Sequence, residues 1–302
     1  MDTRARGLRE FRLRVAGLTF LVKSADDGPE LGVAKASRPF LVDAGGVPDV
    51  VLDVRWGDLS GDRPGDLLFD SGGVWRLHRE DGSLVFRLRS VNLGDVPYLT
   101  CRMTPGVRQG EIVVHRPYFP DGEPIEALQY PLDEVLMIHL LGQGLGVELH
   151  ACGVLDGEGR GFLFSGQSGD GKSTMARLWQ ERPGTVILSD DRIVVRKVKE
   201  RFVMYGTPWH GDAELAASRW GDIDAIFFLE RGLVNSIRSV SVPDATADLM
   251  ARSFVPFHDP EAVERTLGIV GELSRAVSTG RLAFVPDSAV CEFLAPSRSS
   301  GI

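Results

Sequence analysis

Residues 166–174 read Gly166-Gln167-Ser168-Gly169-Asp170-Gly171-Lys172-Ser173-Thr174. The spacing G-x-x-x-x-G-K-[ST] is that of a phosphate-binding loop. A phosphate chain needs many N–H donors converging on it. Glycines let the backbone curl until its amides point inward, and a following helix presents its positive end to the same anion. In such a loop Lys172 reaches the outer phosphates and the Ser173 hydroxyl is placed on Mg²⁺. Residues 166–174 are therefore the expected nucleotide-binding segment, with ATP and Mg²⁺ as the expected ligands.

Three further groups stand near enough in sequence to join that chemistry. ILSDD at 187–191 is an apolar run that ends in two carboxylates, Asp190 and Asp191. It follows the loop by one helix, so the spacing predicts that its strand neighbours the loop's own strand. The carboxyl ends of strands face the ligand crevice of an open α/β sheet. A carboxylate there holds Mg²⁺ or takes a proton from an attacking hydroxyl, and strand alternation sends the two side chains to different roles. His150, in VELHACGVL, sits on a strand just ahead of the loop strand. In GTPWHGD at 206–212, Trp209 either stacks on a base or packs inward, and His210 and Asp212 are in a loop that can reach phosphate or metal. His78, His115, His139 and His258 read as ordinary structural or loop residues, and no His/Cys/Asp/Glu group has zinc spacing.

These side chains need a framework. GFLFSG (161–166) is an apolar strand-like run entering the loop, and STMARLWQER (173–182) is a helix that stops at Pro183-Gly184. From Pro131 onward apolar runs alternate with helical segments, among them PLDEVLMIHLLG, DAIFFLE and helices near 244–252 and 260–277. That alternation implies an α/β layer structure. Before residue 128 the pattern is β: FRLRV, LTFLV, VVLDVRW, YLTCRMT and EIVVHRPY. VWRLHREDGSLVFRLR (74–89) predicts a hairpin turning at Asp81-Gly82, where positive φ angles are tolerated. The reading is thus two domains, a mainly antiparallel β-rich domain at 1–128 for substrate recognition or regulation, and an α/β phosphate-loop domain at 129–302.

Composition limits the partners. Apolar residues are 43% and charged residues 25% of the 302, which excludes a disordered or low-complexity chain. Thirty-four Lys+Arg against 42 Asp+Glu give net −8, with no basic block to hold nucleic acid or an anionic membrane. The N-terminus is charged rather than apolar, and no apolar run nears the ~20 residues of a membrane span. Cys101, Cys152 and Cys291 are few and scattered, as in a reducing compartment. These features predict a cytoplasmic protein, and they leave room for a homo-oligomer.

LHACGVLDGEGRGFLFSGQSGDGKST followed by ILSDDR resembles the catalytic core of the HPr kinase/phosphorylase family. There a histidine-bearing strand precedes a strand, a GxSGxGKS loop and a helix, and an Asp-Asp pair follows. The resemblance implies an HPr-kinase-type α/β fold for 129–302. It makes Asp191 the base toward the substrate hydroxyl, His150 and Lys172 its partners in catalysis, and Ser173 and Asp190 the metal-site residues. Gln167 and Thr174 stand where the bacterial enzymes of that family carry acidic residues, and GTPWHGD stands near the family's EIRGLG-type segment. The chain is accordingly similar to the divergent kinases found beside peptide-modification systems. The activity implied is ATP-dependent phosphoryl transfer to a hydroxyl, of a serine in a protein or peptide. A small-molecule hydroxyl acceptor, or a nucleotide-binding regulatory module without transfer, are the alternatives.

Overall fold

The computed structural model describes residues 7–43, 45–90, 94–167 and 169–295. The chain forms two compact units, Met1–Leu140 and Leu141–Ile302. The division falls later than the boundary expected at 128, so the helix begun after Pro131 is counted with the first unit. Both units are mixed α/β or β structures built on large sheets.

The first unit holds β1 (Glu10–Val15), β2 (Leu18–Ser24), β3 (Val50–Gly57), β4 (Asp66–Asp70), β5 (Trp75–Glu80), β6 (Ser83–Leu88), β7 (Leu99–Met103), β8 (Gln109–His115) and helix α1 (Leu132–Leu140). They form one eight-stranded sheet in the order β1-β2-β3-β8-β7-β6-β5-β4. The β5–β6 hairpin turns at Asp81 (φ 48°) and Gly82 (φ 77°), both in the left-handed region that a tight two-residue hairpin demands. The sheet is mainly antiparallel, but at its centre β3 runs parallel to both β2 and β8. Those pairings need crossovers between strands distant in sequence, which local alternation does not encode.

The second unit contains β9 (Val147–Leu155), β10 (Gly161–Ser165), α2 (Lys172–Gln180), β11 (Val186–Ser189), β12 (Arg192–Val198), β13 (Arg201–Tyr205), β14 (Trp220–Asp222), β15 (Ala225–Arg231), β16 (Ser236–Ser239), α3 (Val242–Met250), β17 (Ser253–Phe254), α4 (Pro260–Ala276), β18 (Ser278–Phe284) and α5 (Ala289–Leu294). Its ten-stranded sheet runs β14-β13-β12-β9-β10-β15-β18-β16, with β11 and β17 also paired to β9. Strand β9 is long enough to serve four partners. Its first half pairs β12 and β17, and its second half pairs β10 and β11. Alternation along β9 and β10 splits the core by face. Leu149, Ala151 and Leu163 pack with Leu249 of α3 and with Val270 and Leu273 of α4. Cys152, Val154, Phe162 and Phe164 pack with Met175 and Trp179 of α2 and with Val290 of α5. Helices thus cover both faces.

One expected adjacency is corrected. β11 does not neighbour β10; β9 lies between them, antiparallel to each. The ends of β10 and β11 still point the same way, because two reversals restore the direction. Cys101, Cys152 and Cys291 are buried free thiols, and burial pushes the Cys101 and Cys152 thiols far above the ordinary range. No helix among the described residues is long and apolar enough to cross a membrane.

Candidate functional site

The loop from Gly166 to Gly171 joins buried strand β10 to helix α2. Strand β10 is apolar on both sides because helices cover both faces, and its direction aims the loop at the edge of the sheet where β11 also ends. Gly171 caps α2 at φ 105°, with no side-chain cap among the described residues. A Cβ there would lie 2.7 Å from Cζ of Phe284, so both conformation and space require glycine. The first-turn amides of α2 are consequently open to an anion rather than used by a capping side chain. Lys172 Nζ donates to the carbonyls of Gly166 and Gln167, 3.0 Å each, so the loop is closed on its own lysine. Burial lowers the pKa of Lys172, an effect opposed by the nearby carboxylates of Asp191 and Asp170. Asp170 serves the loop itself: its Oδ2 accepts the Gln167 amide at 2.5 Å.

The two aspartates separate as expected, but not by strand alternation. β11 ends at Ser189 and β12 begins at Arg192, so Asp190 and Asp191 form the bend between them. The Ser189 hydroxyl sets that bend, accepting the amides of Asp191 and Arg192 at 3.2 Å and donating to the Trp209 carbonyl at 3.1 Å. Asp190 is fully buried. Its Oδ1 accepts the Gly211 amide and its Oδ2 the Ala213 amide, 2.9 Å each, and the Ser173 hydroxyl donates to Oδ2 at 3.5 Å. Asp190 thus anchors the 206–213 loop against the start of α2.

Asp191 turns the other way. Its Oδ1 lies 2.8 Å from His150 Nε2, and its Oδ2 is ion-paired with Arg192. Register explains the meeting: His150 on β9 stands directly opposite Arg192 on β12. Burial opposes the charge on Asp191, but the hydrogen bond from His150 and the Arg192 guanidinium outweigh it and hold the carboxyl below its ordinary range. The Arg192 guanidinium lies 4.2 Å over the Phe254 ring, and its Nε is 3.7 Å from the fully buried Glu148 carboxylate. Arg192, Glu148 and Phe254 were not singled out by sequence reasoning. An arginine after two aspartates reads as a solvated strand face, and only the β9–β12 register reveals otherwise.

A cavity of about 440 Å³ gathers these groups; its lining is His150, Gly169, Gly171, Lys172, Ser173, Thr174, Asp191, Arg192, Gly211 and Asp212. Of the residues expected to act, Gly166, Gln167 and Asp170 shape the loop behind that surface, Asp190 supports it from below, and Ser168 lies outside the described residues. Trp209 is 6% exposed and not in the lining, so it packs inward instead of covering the site. His210 is exposed and its Nδ1 lies 3.2 Å from the Gly211 carbonyl. From the 206–212 segment only Gly211 and Asp212 reach the cavity.

The groups fit a polyphosphate at the loop: open helix-end amides, a buried lysine and a glycine cap that leaves room. The hydroxyl of Ser173 beside the Asp190 carboxylate is an oxygen set of the kind hard divalent cations take. Among the described residues no group of three or more His, Cys, Asp or Glu is placed to hold a metal by itself. Such a cation would therefore complete its coordination with ligand oxygens and water, as Mg²⁺ does on phosphates.

No protein-family model matches the chain, and no curated protein matches it. Among solved structures, a similar one is that of the HPr(Ser) kinase/phosphatase from Coxiella burnetii. It is 11% identical, the match covers 50% of this chain and 82% of that one, and the TM-score is 0.26. No residue role is carried over from it.

Proposed function

We propose that this protein is an ATP-dependent kinase that transfers the γ-phosphoryl group to a hydroxyl, that of a serine in a protein or peptide. The observation that carries the reading is the common cavity: Lys172 and the open end of α2 face the same space as the paired His150, Asp191 and Arg192. A phosphate-loop protein that only binds nucleotide has no need of a carboxylate held at that position by a histidine and an arginine.

Bound MgATP would supply the transferable phosphoryl group and a divalent charge to offset its oxygens. The chain's own groups do the rest. Lys172, partly desolvated, gives one positive charge to the phosphates when its bonds to Gly166 and Gln167 are exchanged for them. Ser173 and Asp190 would hold the cation. Asp191, ionised at neutral pH, orients the acceptor hydroxyl by accepting its hydrogen bond and takes its proton. His150 and Arg192 fix the carboxylate's direction, so its free lone pairs are aimed before the acceptor arrives. Positioning and charge stabilisation account for most of the catalysis in this chemistry, so few side chains suffice.

The test is transfer of label from γ-labelled ATP to protein, peptide and small-molecule fractions of a cell extract, with wild type beside Lys172→Ala. Label in a serine-containing polypeptide, lost by at least ~10²-fold in the variant, supports the reading. Label in a small molecule moves the acceptor class. Equal transfer by both proteins overturns the assignment.

A further inference from the structure

The cavity is lined throughout by glycine and polar residues, so it offers a place for phosphates and an acceptor but none for a flat apolar base. On the kinase reading, on which this inference rests, the rest of the nucleotide lies outside that cavity. Sheet order gives the direction. From the loop strand β10, His150 and the Asp191 bend lie on the β9 and β12 side. The γ end of a triphosphate must face that side, and the base must then extend the other way, over the carboxyl ends of β15 and β18.

Those ends are tied to the loop. β15 finishes at Arg231, whose Nη2 donates to the Gly169 carbonyl at 3.1 Å. β18 finishes at Phe284, the ring against which Gly171 is closed, and the Gly232 amide donates to the Phe284 carbonyl at 3.1 Å. The next two residues are Leu233, 98% exposed, and Val234, 69% exposed. The tip they form is held from its far side, since Asn235 Oδ1 accepts the Val285 amide at 2.8 Å. Two aliphatic side chains are thus held in water at the end of the strand beside the phosphate loop, on the side the base must take.

We propose that the Leu233–Val234 tip is the nucleobase platform of this site. Aliphatic side chains meet the face of a base and leave its hydrogen-bonding edge unread. Every base offers such a face, so contact there is tolerant of base identity. The protein therefore takes ATP and GTP with nearly equal affinity.

The experiment titrates the full-length protein with three probes, each with Mg²⁺: ATP, GTP and inorganic triphosphate. Wild type is compared with Leu233→Ser/Val234→Ser, whose side chains are exposed and carry no core packing. ATP and GTP are expected to agree within about threefold in wild type and both to weaken by about tenfold (~1.4 kcal/mol) in the variant. Triphosphate should bind both proteins alike. The platform is overturned by unchanged ATP affinity in the variant, by equal weakening of triphosphate, or by a preference beyond about 30-fold between ATP and GTP. If wild type binds none of the three, the kinase reading falls and the platform with it. If triphosphate binds and the tip substitutions leave ATP untouched, only the platform falls.

Discussion

Replacing Asp191 by asparagine removes one charge and almost no volume from the centre of the cavity. The carboxylate accepts from His150 at 2.8 Å and is ion-paired with Arg192. An amide keeps the shape but has one acceptor oxygen where the carboxylate has two, so one contact becomes an N–H facing a donor and the other loses its charge assistance. Hydrogen bonds to charged groups are worth ~1.5–3 kcal/mol against ~1 for neutral ones, so the expected cost is about 1–3 kcal/mol of stability. For a chain of this size that lowers Tm by roughly 2–10 °C. Phosphoryl transfer should fall ~10²- to 10⁴-fold, the range for losing a general base. Nucleotide affinity should stay within a few-fold or tighten, because the lost negative charge faced the same space as the phosphates. A pH arm separates the charge from the shape. Asp191 is held below its ordinary value of 3.8, so its stabilising effect is complete above the normal carboxylate range and is lost as pH falls through the lowered folded value. The stability gap between wild type and Asp191→Asn should therefore be constant near neutrality and close in acid, read by melts from pH 7 downward. Full transfer by the variant, or loss of ATP affinity in step with transfer, would refute the base assignment.

Two other substitutions test the scaffold of the site. Gly171→Ala forces an L side chain to φ 105° and sets its Cβ 2.7 Å from the Phe284 ring, so Tm should drop by several degrees, at about 1–3 kcal/mol for the backbone strain. Measured against Phe284→Leu alone, itself destabilised by the smaller core side chain, Gly171→Ala should cost only the backbone part, and an unchanged melt for Gly171→Ala would contradict the loop geometry. Asp190→Ala removes the acceptor for the Gly211 and Ala213 amides, so hydrogen exchange at those two amides should accelerate at least ~10-fold, the size of one such bond. Exchange rates equal to wild type would show that the loop is held by something else.

What could be read in advance was what is local. The run GFLFSG, the glycine spacing and the amphipathic 173–182 segment together specify strand, loop and helix within about twenty residues, and they stand at β10 and α2. The Asp81-Gly82 turn was legible for the same reason. The rest depended on distant pairing. That β9 lies between β10 and β11 follows from a strand placed before the loop in sequence, which no spacing argument reaches. Arg192 joined the site only through its register with His150. The parallel pairs at the centre of the first sheet, and the inward packing of Trp209, are tertiary choices that alternation and residue type leave open.

The position of β9 has a consequence for how the chain is made. Its partners lie at 161–165, 186–189, 192–195 and 253–254. During synthesis the strand that carries His150 is therefore finished long before its last neighbour emerges. Until β12 is available, VELHACGVL is an apolar segment with an open edge, and until β17 arrives, Glu148 and Leu149 are paired on one side only. The phosphate loop's internal bonds, Lys172 to Gly166 and Gln167 and the Gln167 amide to Asp170, are by contrast local. A chain halted before residue 253 lacks both Phe254 beneath Arg192 and Phe284 beside Gly171. The interval before those strand partners arrive is the period in which this strand most needs protection from pairing with another chain.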